Sequence, residues 1–230
     1  MSREVQSMFG RIAERYDLTN DVLSLGIHRA WRKVAVRFVG VSEGERVLDL
    51  CTGTGDQAFA LAQQVGRSGW VAGLDFVPRM LELAQLKDRG RVPVLQIPFI
   101  QGDATSLPFG DEQFDLVTIS FGIRNVDDPL LCLQEILRVL RPGGRVMVLE
   151  FGRPQAPIFG RIYELYSKFV MPILGGVLTG DRSAYEYLPK TAAAFPDGFD
   201  FIELLRQANF RCLRFKPLMS GLAYVYSANR

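Results

Sequence analysis

The chain has 230 residues, 27 Lys and Arg against 25 Asp and Glu, and is 48% hydrophobic and 23% charged. That is the make-up of a globular unit with an ordinary core, and it excludes disorder, collagen-like repeats and a disulfide scaffold. A net charge of +2 leaves no general field for nucleic acid, and Cys51, Cys132, Cys212 and the single histidine, His28, are too scattered for a Cys/His zinc site.

Residues 1–17 carry charges throughout and lack the apolar core of a signal peptide. Val5, Met8, Phe9 and Ile12 recur at helical spacing, and a second periodic run covers Trp31 to Val39. Between them, Tyr16-Asp17-Leu18-Thr19-Asn20 reads as a break, and Gly26 as another. Five short apolar runs follow at residues 46–51, 70–75, 97–101, 114–120 and 145–151. Helical stretches at 56–65, 78–87 and 129–140 separate most of them, which predicts βαβ units and a parallel sheet covered on both faces. The polar link from 102 to 113 predicts little or no helix, and Arg141-Pro142-Gly143-Gly144 predicts a stop and turn before the fifth strand.

Residues 152–197 mix prolines and glycines with aromatics, and are too apolar for a linker, so a helical insertion is expected there. The apolar run 169–180 contains Pro172, Gly175 and Gly176 and falls short of the ~20 residues that span a bilayer. A helix near 200–208 and two alternating runs, 211–215 and 222–227, predict a closing antiparallel hairpin.

The sharpest local signal is Asp49-Leu50-Cys51-Thr52-Gly53-Thr54-Gly55-Asp56, between a strand and a helix. Gly53 and Gly55 allow close backbone approach to a ligand, the helix start supplies unpaired N–H groups, and Asp75 closes the next strand where a carboxylate can accept ribose hydroxyls. Read through Ala58 as G-x-G-x-x-A, the loop suits a dinucleotide. Asp56 would then lie beside the phosphates and Asp49 would have no task; both suit a ligand with a cationic amino-acid end and no phosphate, such as S-adenosylmethionine. Asp103 and Ala104, after the third strand, fall where an adenine would lie.

Several blocks are similar to the ubiquinone/menaquinone-biosynthesis C-methyltransferases, class I enzymes that methylate a polyprenyl quinol ring. They are Tyr16–Asn20 with Ser24-Leu25-Gly26-Ile27-His28-Arg29-Ala30-Trp31, then Ser120-Phe121-Gly122-Ile123-Arg124-Asn125-Val126, then Arg138–Gly144 with Leu149-Glu150-Phe151. Cys51 sits where class I methyltransferases in general place the first loop glycine, a position where this family takes small residues; in the family's pattern Thr19 replaces Met, Arg141 replaces Lys and Gly152 replaces Ser. The resemblance implies a Rossmann-like seven-strand α/β sheet, mostly parallel, with a C-terminal antiparallel hairpin. One methyltransferase domain over 1–230 is expected, with 1–44 as an N-terminal helical lid and 152–197 as the insertion. It implies S-adenosylmethionine contacts at Thr54, Asp75, Asp103, Ala104 and Ser120; the residues themselves add Asp49, Gly53 and Gly55.

For C-methylation of a quinol, Arg124 is expected to stabilise the phenolate and polarise a water, Asn125 to orient it, and His28 to act as base. No Asn/Asp-Pro-Pro-aromatic block follows the fourth strand, which favours a carbon or oxygen acceptor over a nucleic-acid amine. Tyr163, Tyr166, Phe169, Val170, Met171, Ile173 and Leu174 are expected to line a trough for the tail. Arg11, Arg15, Arg29, Arg32, Lys33 and Arg37 offer a basic face for transient contact with a membrane surface, placing the protein in the cytoplasm or peripherally on the inner membrane face. Demethylmenaquinol is the expected acceptor. A polyprenyl benzoquinol of ubiquinone synthesis, another apolar small molecule, a dehydrogenase and a non-catalytic accessory subunit are the alternatives.

Overall fold

The computed structural model describes residues 3–91 and 96–230. Three helices open the chain: α1 (Arg3–Ile12), α2 (Tyr16–Ser24) and α3 (Ile27–Val39). There follow β1 (Arg46–Leu50), α4 (Asp56–Val65), β2 (Trp70–Asp75), α5 (Pro78–Arg89), β3 (Phe99–Gln101), β4 (Phe114–Ser120), α6 (Pro129–Val139) and β5 (Leu140–Phe151). The insertion holds α7 (Pro157–Leu165), a π-helical turn (Tyr166–Val170), α8 (Met171–Thr179) and α9 (Arg182–Ala194). The chain closes with α10 (Phe199–Gln207), β6 (Arg211–Leu218) and β7 (Ala223–Asn229).

The seven strands form one sheet in the order β3-β2-β1-β4-β5-β7-β6. All pairings are parallel except those of β7, which runs antiparallel to β5 and β6. Alternation along the strands divides the core. Val47, Val71, Leu116 and Met147 face α3 and α4 through Ala35, Val36, Ala58 and Leu61. Leu48, Ala72, Val117 and Val146 face α6 and α10 through Leu133, Ile136, Phe201 and Leu205. Burial on both faces is why these strands read as nearly unbroken apolar runs. Strand order reverses between β1 and β4, so a crevice opens at their carboxyl ends, where open α/β sheets bind ligands.

The expected break at Tyr16–Asn20 is instead the first turn of α2, with the fully buried Thr19 packed inside. The break precedes it as a tight turn at Ala13–Arg15. The Arg141–Gly144 signal does not end an element either. Leu140 pairs with Phe114 and Arg145 with Leu116, so the Pro-Gly-Gly stretch bulges out within β5, with Gly143 at φ +77°. Pro172 lies in the first turn of α8, where its missing N–H is tolerated because the π turn before it resets the ladder. Gly152 meets Tyr224: a Cβ there would lie 2.4 Å from the ring, which accounts for glycine where the resembling family carries serine.

Candidate active site

The crevice begins at the turn after β1. Cys51, Gly53 and Gly55 all have positive φ (+50°, +56° and +87°), which curls the backbone tightly into α4. Added carbons at Gly53 would meet nothing, leaving the loop an open cradle, whereas one at Gly55 would strike Phe59 and Phe99 at 2.9 and 3.1 Å. Gly53 therefore leaves the loop open to the cleft, and Gly55 serves the packing beneath it. Gly122 is likewise a close-approach glycine, since its Cβ would lie 2.3 Å from that of Cys51.

Asp49 lies inside the sheet. Its carboxylate accepts hydroxyl hydrogen bonds from Thr52 (2.7 Å) and from Thr118 on the neighbouring β4 (2.6 Å), and does not line the crevice. Burial outweighs those bonds and pushes its pKa up to about 6. A carboxyl raised in the folded state contributes stability at low pH that is lost as pH climbs from about 4 through 6. Asp49→Asn removes this titration. Relative to the wild type it should gain about 3 kcal/mol between pH 4 and pH 7, read from denaturant unfolding at each pH; parallel pH profiles would refute it.

Asp75, at the end of β2, uses both oxygens: one accepts the Gly53 N–H (2.8 Å), the other the Val77 N–H (2.9 Å). Burial raises its pKa against those backbone bonds. Thr54 donates to Asp17 of α2 at 2.6 Å, and Lys87 of α5 reaches Asp17 (2.5 Å), Asp56 (2.9 Å) and the Thr54 hydroxyl (2.9 Å). Burial pushes the Asp56 carboxyl up, but Lys87 and Arg32 more than offset that and hold it below its ordinary value. This network ties α2 across the loop. The polar cleft beneath, lined by Gly53, Thr54, Asp56, Asp75, Ser120 and Asn125 among others, encloses only about 50 Å³.

A larger apolar cavity of about 510 Å³ adjoins the cleft. Its walls include Leu23, Ile27, Trp31, Phe151, Phe159 and Tyr163. Tyr16, Asn20, His28, Arg32 and Phe121 line both spaces and form their junction. Arg124 lines the apolar cavity with its side chain only 3% exposed. One Nη donates to Glu150 (2.7 Å) and to the Phe121 carbonyl (2.5 Å), while its Nε is buried with no partner. Glu150, 1% exposed, also accepts the Phe151 N–H. Asn125 accepts a hydrogen bond from the Tyr187 hydroxyl at 3.1 Å.

His28 is buried, and burial together with nearby Arg32 lowers its pKa, so the ring is neutral at pH 7. Ser24 gives its single proton to the Asn20 carbonyl at 2.6 Å and lies 2.7 Å from His28 Nδ1. His28 Nε2 lies 3.7 Å from the Asp21 carboxylate.

The structure thus gathers Gly53, Thr54, Asp75, Ser120, Asn125 and His28 around the cleft and Arg124 just beyond it. Asp49, Gly55, Asp103 and Ala104 line neither space; Asp103 holds the Thr105 N–H and hydroxyl after β3. Tyr163, Tyr166, Met171 and Leu174 line the apolar cavity as expected, but Phe169, Val170 and Ile173 do not line it and are exposed. The N-terminal arginines do not form one basic face: Arg11 pairs with Asp181, Arg15 donates to the Leu178 carbonyl, Arg29 pairs with Asp21, and Arg32 lines the junction. Sequence reasoning gave no role to Glu150, although a lone carboxylate within an apolar strand run is a signal; Asp17 and Lys87 carry no comparable local signal.

The ubiE/COQ5 methyltransferase family model matches residues 1–230. The ubiquinone/menaquinone biosynthesis C-methyltransferase UbiE of Bdellovibrio bacteriovorus is 46% identical over 225 residues, covering 96% of this chain and 94% of the relative. The demethylmenaquinone methyltransferase of Staphylococcus haemolyticus is 39% identical over 97% of this chain and 92% of its own. Among solved structures, an S-adenosylmethionine-dependent methyltransferase from Thermotoga maritima superposes with a TM-score of 0.70 at 22% identity, over 97% of this chain and 98% of that one.

Proposed function

The chain belongs to the ubiE/COQ5 methyltransferase family; from that premise we propose that it methylates a ring carbon of demethylmenaquinol at the cytoplasmic membrane face. It is an S-adenosylmethionine-dependent methyltransferase, and the dehydrogenase alternative falls away. The observation that carries the reading is the junction: an acidic cleft and a 510 Å³ apolar cavity share Tyr16, Asn20, His28, Arg32 and Phe121. A polar cofactor and an apolar acceptor can meet there.

The cleft's donor set suits the cofactor. Asp17, Asp56 and Asp75 favour a cation over a pyrophosphate, Gly53 leaves an open cradle, and the buried Ser120 hydroxyl lacks a partner. Gly53, Thr54, Asp75 and Ser120 are the residues that would hold it. With about 50 Å³ enclosed, against ~300–1,000 Å³ for ordinary ligand sites, α2 must yield on entry, which fits residues 1–44 acting as a lid. When bound, S-adenosylmethionine supplies an electrophilic methyl group on a positively charged sulfur.

The chain's own residues supply the proton work. A quinol O–H has an ordinary pKa of ~10, and its ring carbon turns nucleophilic as that proton leaves. His28 takes the proton, and the carboxylate of Asp21, 3.7 Å from Nε2, stabilises the resulting imidazolium. Arg124, which lines the apolar cavity and is fixed by Glu150, offers a guanidinium N–H to the developing phenolate. Asn125, held by Tyr187, orients the water that accepts the ring-carbon proton. Phe121, Phe151 and Trp31 keep the cavity dry. No described helix is long and apolar enough to cross a membrane, so contact with the bilayer is a surface contact in this reading.

The test is methyl transfer from labelled S-adenosylmethionine to reduced, short-tailed demethylnaphthoquinol, with the matching benzoquinol in parallel. Transfer to the naphthoquinol at least about tenfold faster is expected, a margin of about 1.4 kcal/mol. Transfer to the benzoquinol alone would move the enzyme to ubiquinone synthesis, and cofactor binding without transfer to either would favour another apolar acceptor or an accessory role.

A further inference from the structure

The insertion turns an unpartnered apolar face outward. Ile158, Ile162, Leu165, Phe169, Ile173 and Val177 recur every three or four residues along α7, the π turn and α8, and each is more than half exposed. A core-facing stripe would be buried, and a solvated one would be polar. The stripe runs into the mouth of the apolar cavity. Val22, Leu25, Ile162, Leu174 and Met219 both line that cavity and are exposed, so the cavity opens on this face. Arg161 and Lys168 stand exposed beside the stripe and, among the described residues, neither is ion-paired. Lys168 lies 5.5 Å over the Phe169 ring, the posture of a cation whose stem covers apolar surface.

We propose that this face docks on an anionic lipid bilayer, with the helix from α7 to α8 lying in the interface and the cavity mouth opening directly into the acyl region. The choice of a bilayer over a second copy of the chain rests on two observations. The unpaired Arg161 and Lys168 outnumber Glu164, the one acid between Pro157 and Thr179, and so complement anionic headgroups; a second copy seated on the stripe would cover the exposed cavity rim at Ile162. At 1.5 Å per residue the 157–179 stretch extends about 34 Å, long enough to lie in the plane as an amphipathic anchor. The reason the mouth should meet lipid rests on the quinol reading above; the surface is tested separately from it.

The test is co-sedimentation of the whole protein with vesicles of phosphatidylcholine and phosphatidylglycerol, and with phosphatidylcholine alone. The comparison variant is Leu165→Glu/Phe169→Glu/Val177→Glu, none of which lines the cavity. Wild type should sediment with the anionic vesicles. The variant should lose about tenfold or more of that affinity while keeping its turnover of a short-tailed, water-soluble quinol. Phe169→Trp, a mild change, should show a blue shift in emission on adding the same vesicles, which guards against a variant that fails to fold. Wild type that stays in the supernatant, or a variant that sediments equally well, would overturn the proposal. So would a wild-type dimer in solution that the variant converts to monomer, which would assign the face to a second copy. Vesicle binding without turnover of any quinol would instead overturn the reaction and leave the docking face standing.

Discussion

Glu150→Gln is expected to lower turnover by at least about a hundredfold and to destabilise the protein by about 3 kcal/mol. Arg124 and Glu150 are 3% and 1% exposed, and their 2.7 Å pair is the only carboxylate contact described for that guanidinium. Neutralising Glu150 leaves a buried cation with no counter-charge, the costly way to break a buried pair. The loss of rate has another origin. Glu150 and the Phe121 carbonyl hold one Nη from two directions, which fixes the guanidinium at the wall of the cavity. Without that anchor the guanidinium turns to find other acceptors, and the phenolate loses its preset donor. A second substitution separates the two effects. Arg124→Met in the Glu150→Gln background removes the stranded charge and should recover most of the stability but none of the rate. Denaturant unfolding and steady-state kinetics on the wild type and the two variants test this, and the rate loss should appear in kcat, with little change in KM for the cofactor. A Glu150→Gln enzyme with near-normal kcat would refute the positioning role.

Asp75→Ala is expected to weaken S-adenosylmethionine binding by about a hundredfold, near 2.7 kcal/mol, measured by calorimetric titration. The carboxylate does two jobs at once. It stands in the cleft where a ribose is expected, and it anchors the loop by accepting the N–H groups of Gly53 and Val77. Alanine leaves both donors without their acceptor at a buried position, at ~1–3 kcal/mol each, so the loop should loosen as well. Asp75→Asn keeps one oxygen and should fall between alanine and wild type. Equal affinity across the three would place Asp75 outside the cofactor site.

The elements that carry the sheet were legible because their signals are local. Residues 56–65, 70–75 and 114–120 form their elements where periodicity and apolar runs place them. The readings that failed share a cause: each depended on what lay opposite. Tyr16–Asn20 looks like a break because Asp, Thr and Asn are weak helix formers, yet Thr19 packs into α2 and Asp17 is fixed by Thr54 and Lys87. Phe169 and Ile173 are as apolar as Met171 and Leu174. The π turn sets the phase of the helix, and only that phase decides which pair faces the cavity. Asp49 had the right neighbourhood and another occupation, since two threonine hydroxyls claim its carboxylate.

By itself, then, the amino-acid sequence determined the alternation of strands and helices, the glycine turn after β1, the acidic strand ends and the family, because each is written in residues close together along the chain. Tertiary structure decided which carboxylates face ligand and which are spent inside the sheet. It also joined Arg124 to Glu150 across 26 residues, and Asp17 to Lys87 between helices far apart in the chain. The physical reason is the same in each case. A side chain's chemistry is local, but its hydration, its charge partner and the cavity it borders are set by segments that meet only when the sheet has formed.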